Sequence, residues 1–287
     1  MRPWLHIARI SNLPTVWTNV TAAWFLAGGA LADVRLAWLL FAGSLLYTGG
    51  MILNDAMDVK FDRKYRPERP IPSGQITLRA AWAVGVVMLL TGATIAAFSG
   101  AHPKITAILV AGIVLYNLFH KKWAGSVIIM GACRLLLYLM AASAVVPFQA
   151  AGPLLVLPYA VALGCYIVGI SVAARLESKK GVLPVPTAML AFALLYTPAV
   201  FCAMRFSSAG GSPLQIVVLG VFAMLVAYAT HSLRKGGPAI GNAVGWLLAG
   251  IAVVDALAVA SVSVPLALGF VALTPLLRFW QRWVAAT

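Results

Sequence analysis

Seven residues in this chain are acidic, and four of them, Asp55, Asp58, Asp62 and Glu68, lie in the single string NDAMDVKFDRKYRPERPIPSG that runs from Asn54 to Gly74. On a helix, Asn54, Asp58 and Asp62, spaced four apart, advance about 40° per step and point to one side, while Asp55 and Asp62, seven apart, nearly eclipse. Stacked carboxylates repel one another unless a cation joins them. A hard divalent ion such as Mg²⁺ takes carboxylate oxygens and keeps positions for phosphates. Asn54, Asp55, Asp58 and Asp62 are therefore a candidate metal set, suited to a metal-bridged diphosphate. Lys60, Arg63, Lys64, Arg66 and Arg69 interleave with them and can serve the same anion, arginine by paired bonds and lysine as a point charge. A plain solvated loop of mixed charge is the alternative. The spacing, the preceding Asn and the closing RPIPSG weigh against it.

The elements that must carry this cluster are apolar. Of 287 residues, 62% are hydrophobic and 10% charged, and the mean hydropathy is +0.95; a soluble domain has about 25% charged residues, so a soluble fold is excluded. Spanning a hydrocarbon core takes roughly 20 apolar residues as a helix, and such runs fall at 13–32, 36–56, 79–99, 104–119, 124–146, 152–173, 186–204, 213–231, 240–260 and 264–278. They lack two-residue alternation, which selects helices over barrel strands. The expectation is one domain over residues 1–287, an all-α transmembrane bundle of nine to ten helices. The count depends on whether Ser261 to Pro265 forms a turn or a kink.

With the N-terminus placed in the cytoplasm, seventeen Lys and Arg residues fall on inside segments and three, Arg35, Lys104 and Arg205, outside. That pattern puts both termini in the cytoplasm. It also explains the net charge of +14 without nucleic acid as a partner. No cleavable leader is read in MRPWLHIARISNLP. Cys133, Cys165 and Cys202 lie in apolar runs without paired spacing and read as packing residues. Trp17, Trp38, Trp82, Trp123 and Trp280 sit near span ends as interfacial anchors.

The string Asn54, Asp55, Asp58, Asp62, Arg66, Pro67, Arg69, Pro70, Ile71, Pro72, Ser73, Gly74 resembles the first aspartate-rich motif and the R-P-x-R-P-[IL]-P-S-G close of the UbiA superfamily of intramembrane prenyltransferases. Arg9, Pro14 and Asn19 look like that family's entry into its first helix. The resemblance implies a helical bundle around a central cavity, open at the cytoplasmic face and sideways toward lipid. It implies Mg²⁺ as cofactor and a prenyl diphosphate whose departing diphosphate leaves an allylic cation for a small aromatic acceptor. It assigns chemistry to Asp58, Asp62 and Asn54, and diphosphate contacts to Arg66, Arg69, Lys121, Lys180, Arg175, Tyr116 and Asn19. Tyr138 and Tyr166 are candidate cavity walls, with plain packing the ordinary reading of each. His120 stands near the expected diphosphate contacts, and its ordinary reading is a solvated residue.

The family's second aspartate-rich motif is reduced. Aligning Gly181 with its closing glycine puts Ala173 and Glu177 where two aspartates stand, leaving Glu177 as a surviving metal-binding partner. Two readings follow: Arg175, Lys179 and Lys180 neutralise diphosphate in place of a second metal, or this is a basic loop in a protein that no longer performs transfer. Arg134 and Asp255 fall within spans, and an ionisable group in hydrocarbon costs at least about 2.5–3.5 kcal/mol, so both should face the bundle interior, a cavity or each other. Arg134 is the fourth candidate for chemistry. Together with MGACRLLLYL, these features resemble a divergent EboC-type branch. That branch implies a natural-product precursor bound in, or moved across, a bacterial inner membrane. An ion-coupled transporter fits less well, because its site would lie near the midplane.

Overall fold

The computed structural model of the protein describes residues 2–146, 152–178, 185–209 and 212–283. The elements run in order as α1 (Arg2–Ile7), α2 (Leu13–Leu26), α3 (Val34–Met57), α4 (Val59–Tyr65), α5 (Leu78–Phe98), α6 (Pro103–Phe119), α7 (Ser126–Ser143), α8 (Gly152–Ser178), α9 (Val185–Ala209), α10 (Pro213–Lys235), α11 (Pro238–Ala249), α12 (Ile251–Val259) and α13 (Val264–Trp280). Helix starts follow local chemistry. The side chains of Asp33 and Thr77 accept backbone bonds at the heads of α3 and α5, and Ser212 with Gln215 forms a capping box at the head of α10. Pro opens α6, α10, α11 and α13, where its missing N–H costs nothing.

Among the described residues seven helical stretches are long and apolar enough to cross a membrane, and α6 and α13 are shorter apolar helices. The outward face is apolar as well. Phe98 is 88% exposed, and Val87, Leu90, Ile216 and Met224 are exposed beside other apolar side chains, a surface suited to hydrocarbon. The centre is formed by α2 and α12, which pack against each other; every residue of α12 is buried. Helices α7 and α8 touch through backbone. A Cβ added at Gly131 would stand 2.6 Å from the carbonyl oxygen of Gly164.

The ninth expected span is one membrane-crossing stretch, Ala239–Val259, made of two helices that meet at Gly250. The Tyr166 hydroxyl donates to the Leu247 carbonyl at 2.8 Å, and a Cβ at residue 250 would meet that hydroxyl at 2.7 Å, so the chain breaks at Gly250. Residues 261–263 form a turn, with Ser263 N bonded to Val259 O, and α13 packs back on α12 and α11. The first span ends at Leu26 and not at 32, because Gly28 takes a left-handed φ of 88° and the Trp24 indole fills the space beside Gly29, bonding to Ala30 O.

At one end of the bundle a second apolar cluster, Ile7, Ala8, Ile52, Ala56, Val59, Ile71, Ile76 and Ala81, fastens α1, α4 and the RPIPSG loop to α3 and α5. The loop closes through Ser73 N to Arg69 O and Gly74 N to Ile71 O, with Gly74 at φ 80°. This scaffold holds the acidic string against the mouth of the bundle.

Candidate functional site

The four-residue stagger of the acidic string survives the junction between α3 and α4. Asp58 N bonds to Asn54 O at 3.0 Å, Asp62 N to Asp58 O at 2.9 Å and Arg66 N to Asp62 O at 2.8 Å. Asn54, Asp55, Asp58 and Asp62 are all buried. Protein cations join the carboxylates. Arg69 Nη1 lies 3.3 Å from Asp55 Oδ1 and 3.0 Å from Asp62 Oδ2, so it links the two residues that eclipse. Lys121 Nζ reaches Asp58 at 2.8 Å and Asp62 at 3.9 Å, and it rests 3.7 Å above the Phe61 ring. Arg9 approaches Asp55 at 3.7 Å. His120 Nε2 lies 3.1 Å from Asp58 Oδ2 and its Nδ1 3.1 Å from Asn117 O. Both ring nitrogens thus face acceptors, so only the doubly protonated ring fills both bonds.

Among the described residues, no three acidic, His or Cys side chains gather closely enough to hold a metal by themselves. A hard divalent ion bound through one or two carboxylates plus phosphate oxygens asks for less. One oxygen fits that need: Asp62 Oδ1 is buried and has no hydrogen-bond partner. Asn54 donates its Nδ2 to Asn117 Oδ1 at 3.1 Å, and Asn117 in turn donates to Gly50 O at 2.9 Å. That bond leaves the Asn54 amide oxygen as the atom available to a cation.

Burial pushes the Asp58 carboxyl up, but the hydrogen bonds and charges of His120 and Lys121 outweigh it and hold the group below the usual carboxylate range. A folded-state value below the unfolded one stabilises the protein above the unfolded pKa, about 3.9, and the contribution is lost as pH falls through the folded value. The stability gap between the protein and Asp58→Asn should therefore not narrow in thermal denaturation from pH 7 down to about pH 5. It should close only in more acid solution; a gap that closes near pH 6 contradicts the pairing.

Behind the cluster lies an apolar cavity of about 90 Å³. Leu46, Tyr47, Ile113, Tyr116, Leu137 and Arg134 are among its walls. Asn117 borders it as well as bonding to Asn54, so the cavity meets the acidic cluster at that residue. Tyr116 stacks on His120 with centroids 5.3 Å apart.

Arg134 and Asp255 are joined indirectly. Arg134 Nη1 donates to Asn19 Oδ1 at 2.7 Å, and Asn19 Nδ2 donates to Asp255 Oδ2 at 2.7 Å. Asn19 thus stands within this buried relay and spends both side-chain groups on it. Tyr138 donates to Asp255 Oδ1 at 2.6 Å. It also borders a separate cavity of about 20 Å³, and Tyr166 packs on Phe222 as a core residue. Arg175 bonds to Ala124 O and to Ser126 Oγ, pinning the end of α8 to the start of α7. Arg66 is exposed at the end of α4 and Ala173 is buried. The side chain of Glu177, and Lys179 and Lys180, lie outside the described residues. The sequence names Arg9 only at the entry to the first helix and Asn117 only within the turn after the fourth, without a role for either in the site, and His120 is bonded into the cluster instead of merely solvated.

Among the described residues, seven helical stretches long and apolar enough to cross a bilayer define an integral membrane protein, and the cavity with the charged mouth lies among α2, α3, α6 and α7. Residues 15–183, more than half of the chain, match the sequence model of the UbiA prenyltransferase family, and the chain belongs to that family. It is 25% identical over 128 residues to the Sulfurisphaera tokodaii protein named digeranylgeranylglyceryl phosphate synthase, a match covering 44% of this chain and 46% of that protein. The chain thus spans less than half the length of that relative. The fold is similar to the apo structure of a UbiA homolog from Aeropyrum pernix K1, with TM-score 0.70 and 15% identity over 88% of this chain and 97% of the other. It is similar too to a UbiA homolog from Archaeoglobus fulgidus bound to GPP and Mg2+, with TM-score 0.57 and 14% identity over 94% and 99%.

Proposed function

We propose that the protein transfers a prenyl group from a prenyl diphosphate to a small acceptor, with Asp58 and Asp62 as the acidic anchors of the diphosphate site. The observation that carries this reading is Asp62 Oδ1, buried without a hydrogen-bond partner, with Arg69 spent on the other carboxylate oxygen at 3.0 Å and Lys121 no nearer to Oδ1 than 3.9 Å. A buried carboxylate oxygen left open is costly unless a ligand completes it. The name of the Sulfurisphaera tokodaii relative and the GPP and Mg2+ bound to the Archaeoglobus fulgidus homolog support the same chemistry.

Asp58, Asp62 and the amide oxygen of Asn54 would hold Mg²⁺, with Asp55 behind them. Bound there, Mg²⁺ would stabilise the negative charge that develops on departing diphosphate. The remaining work falls to the chain's own groups. Lys121 and His120, now on Asp58, stand where they can turn to phosphate oxygens once another cation satisfies that carboxylate. Arg69 keeps Asp55 and Asp62 from repelling each other. Arg66 is free to meet phosphate at the rim, whereas Arg175 acts from the end of α8, fixed there by its bonds to Ala124 O and Ser126 Oγ. Tyr116 and Tyr47 give the cavity an aromatic lining that tolerates an allylic cation and, with its apolar walls, excludes water. The apolar walls of the cavity suit the reacting end of an isoprenoid, and its tail would leave between helices toward lipid. The distribution of Lys and Arg supports a cytoplasmic side for this mouth and for both ends of the chain.

The test is diphosphate release by protein purified into lipid nanodiscs, with Mg²⁺, a series of prenyl diphosphates and a panel of phenolic and phosphorylated acceptors. Release that needs both Mg²⁺ and an acceptor is expected. Binding of prenyl diphosphate with no release under any acceptor would replace transfer by carriage of a lipophilic ligand.

A further inference from the structure

We infer that the end of α13 carries a headgroup site for an anionic glycerophospholipid, with Arg278, Arg282 and Gln281 as donors to its phosphate. The site lies apart from the cavity and the acidic cluster, on the face where α11 packs against both α10 and α13. It stands at the same end of the bundle. Helix α13 packs on the turn formed by residues 10–12, which follows directly on Arg9, and Arg9 approaches Asp55.

An arginine two residues from a helix end ordinarily extends its charged head to water. Arg278 turns instead onto α11, where its side chain is half-buried. Its Nη2 donates to Asn242 Oδ1 and its Nη1 to Gln281 Oε1 at 3.1 Å, and the guanidinium carbon lies 5.8 Å from the Trp246 ring centroid. Gly245 makes room for this pose, since a Cβ there would stand 2.9 Å from Nη1. Asn242, Gly245 and Trp246, spaced three and four apart, share one face of α11. Asn242 is held in turn by a bond from its Nδ2 to the Tyr228 hydroxyl at 3.3 Å, so α10 and α11 together set the guanidinium in place.

This setting supplies donors and positive charge without a counter-ion. Both acceptors that Arg278 uses are neutral amides, and among the described residues no carboxylate pairs with Arg278 or Arg282. Arg282, one turn on, adds a second charge that repels the first. Gln281 is 8% exposed, and its Nε2, on the same amide that receives Arg278, is buried with no partner. A buried donor left open beside two such cations costs free energy that a negatively charged acceptor removes. Phosphate meets that need, because its oxygens take a guanidinium in paired bonds.

The surroundings select a lipid over inorganic phosphate. Tyr228, Phe279 and Trp280 are exposed beside the arginines, as aromatic side chains are at headgroup depth, and Leu276 on α13 and Met224 on α10 continue an exposed apolar surface toward the bilayer interior. A phosphate at Arg278 lays its acyl chains on side chains that already face hydrocarbon. Basic pockets between helices at this depth take anionic headgroups.

The test measures lipid bound to the full chain by native mass spectrometry from detergent micelles, with dioleoylphosphatidylglycerol against dioleoylphosphatidylcholine. The anionic lipid should bind at least about tenfold more tightly, the usual worth of a charge-assisted bond, and R278Q/R282Q should abolish that preference. G245A keeps the net charge but displaces the guanidinium, so it should lower the preference about threefold or more. R79Q/K122Q removes two exposed charges elsewhere at this end and should leave the preference in place. Sodium phosphate at the concentration of the lipid should not displace it. Equal binding of the two lipids, a preference undiminished in folded R278Q/R282Q, or one lost as fully in R79Q/K122Q overturns the site, and displacement by inorganic phosphate overturns the lipid as its occupant. Should R278Q/R282Q fail to fold, an unchanged preference in G245A overturns the site instead.

Discussion

Asp62→Asn should lower the rate of diphosphate release by two to three orders of magnitude, the usual cost of removing one group that stabilises developing charge. Asn is nearly isosteric and can still accept from Arg69 at the oxygen that lies 3.0 Å away. What it loses is the negative charge at a position 1% exposed, where charge is weakly screened. Asp58→Asn should cost as much, and it also releases Lys121 and His120. The protein should remain folded in both variants, because Arg69 keeps Asp55 and Lys121 keeps whichever of Asp58 and Asp62 remains. Thermal melts run beside the kinetics separate a chemical loss from a structural one. Asp62→Asn with more than a tenth of the parent rate would remove the acidic anchors from the mechanism.

The acidic string was legible because it is local. Helical geometry fixes the relation of Asn54, Asp58 and Asp62 without help from the rest of the chain, and the repulsion between Asp55 and Asp62 demands a joining cation. In the structure Arg69 supplies one, from the same string. The spans were legible for a similar reason, since hydrocarbon thickness sets the length of an apolar run. Legibility fails where a contact joins distant segments. Asn19 and Asp255 lie 236 residues apart, and no periodicity in α2 or α12 says that these two faces meet. Asn117 and His120 are ordinary polar residues at a helix end until α6 packs beside α3 and brings them to Asn54 and Asp58. The break at Gly250 was invisible because a glycine within an apolar run is common, and its cause is a hydroxyl from α8.

Gly131→Ala should destabilise the protein even though the same exchange in an open helix stabilises it. Alanine is better than glycine within a helix by about 1 kcal/mol. At residue 131 the added carbon would meet Gly164 O and Val168 Cγ2, each at 2.6 Å, and the first of these is backbone that can yield only by moving α8. Overpacking of this kind costs about 1–3 kcal/mol, so the clash outweighs the gain, and Gly131→Val should be worse. Gly220 supplies the opposite case: it lies within α10 with nothing within 4 Å of its added Cβ, so Gly220→Ala should hold or raise the melting temperature. The displacement also has a functional reading. Arg134 lies three residues after Gly131 on α7, and a shift of that helix pulls the guanidinium away from Asn19. Melting of the three variants in one detergent decides the point, and Gly131→Ala at or above the parent temperature would show that α7 and α8 do not meet backbone to backbone.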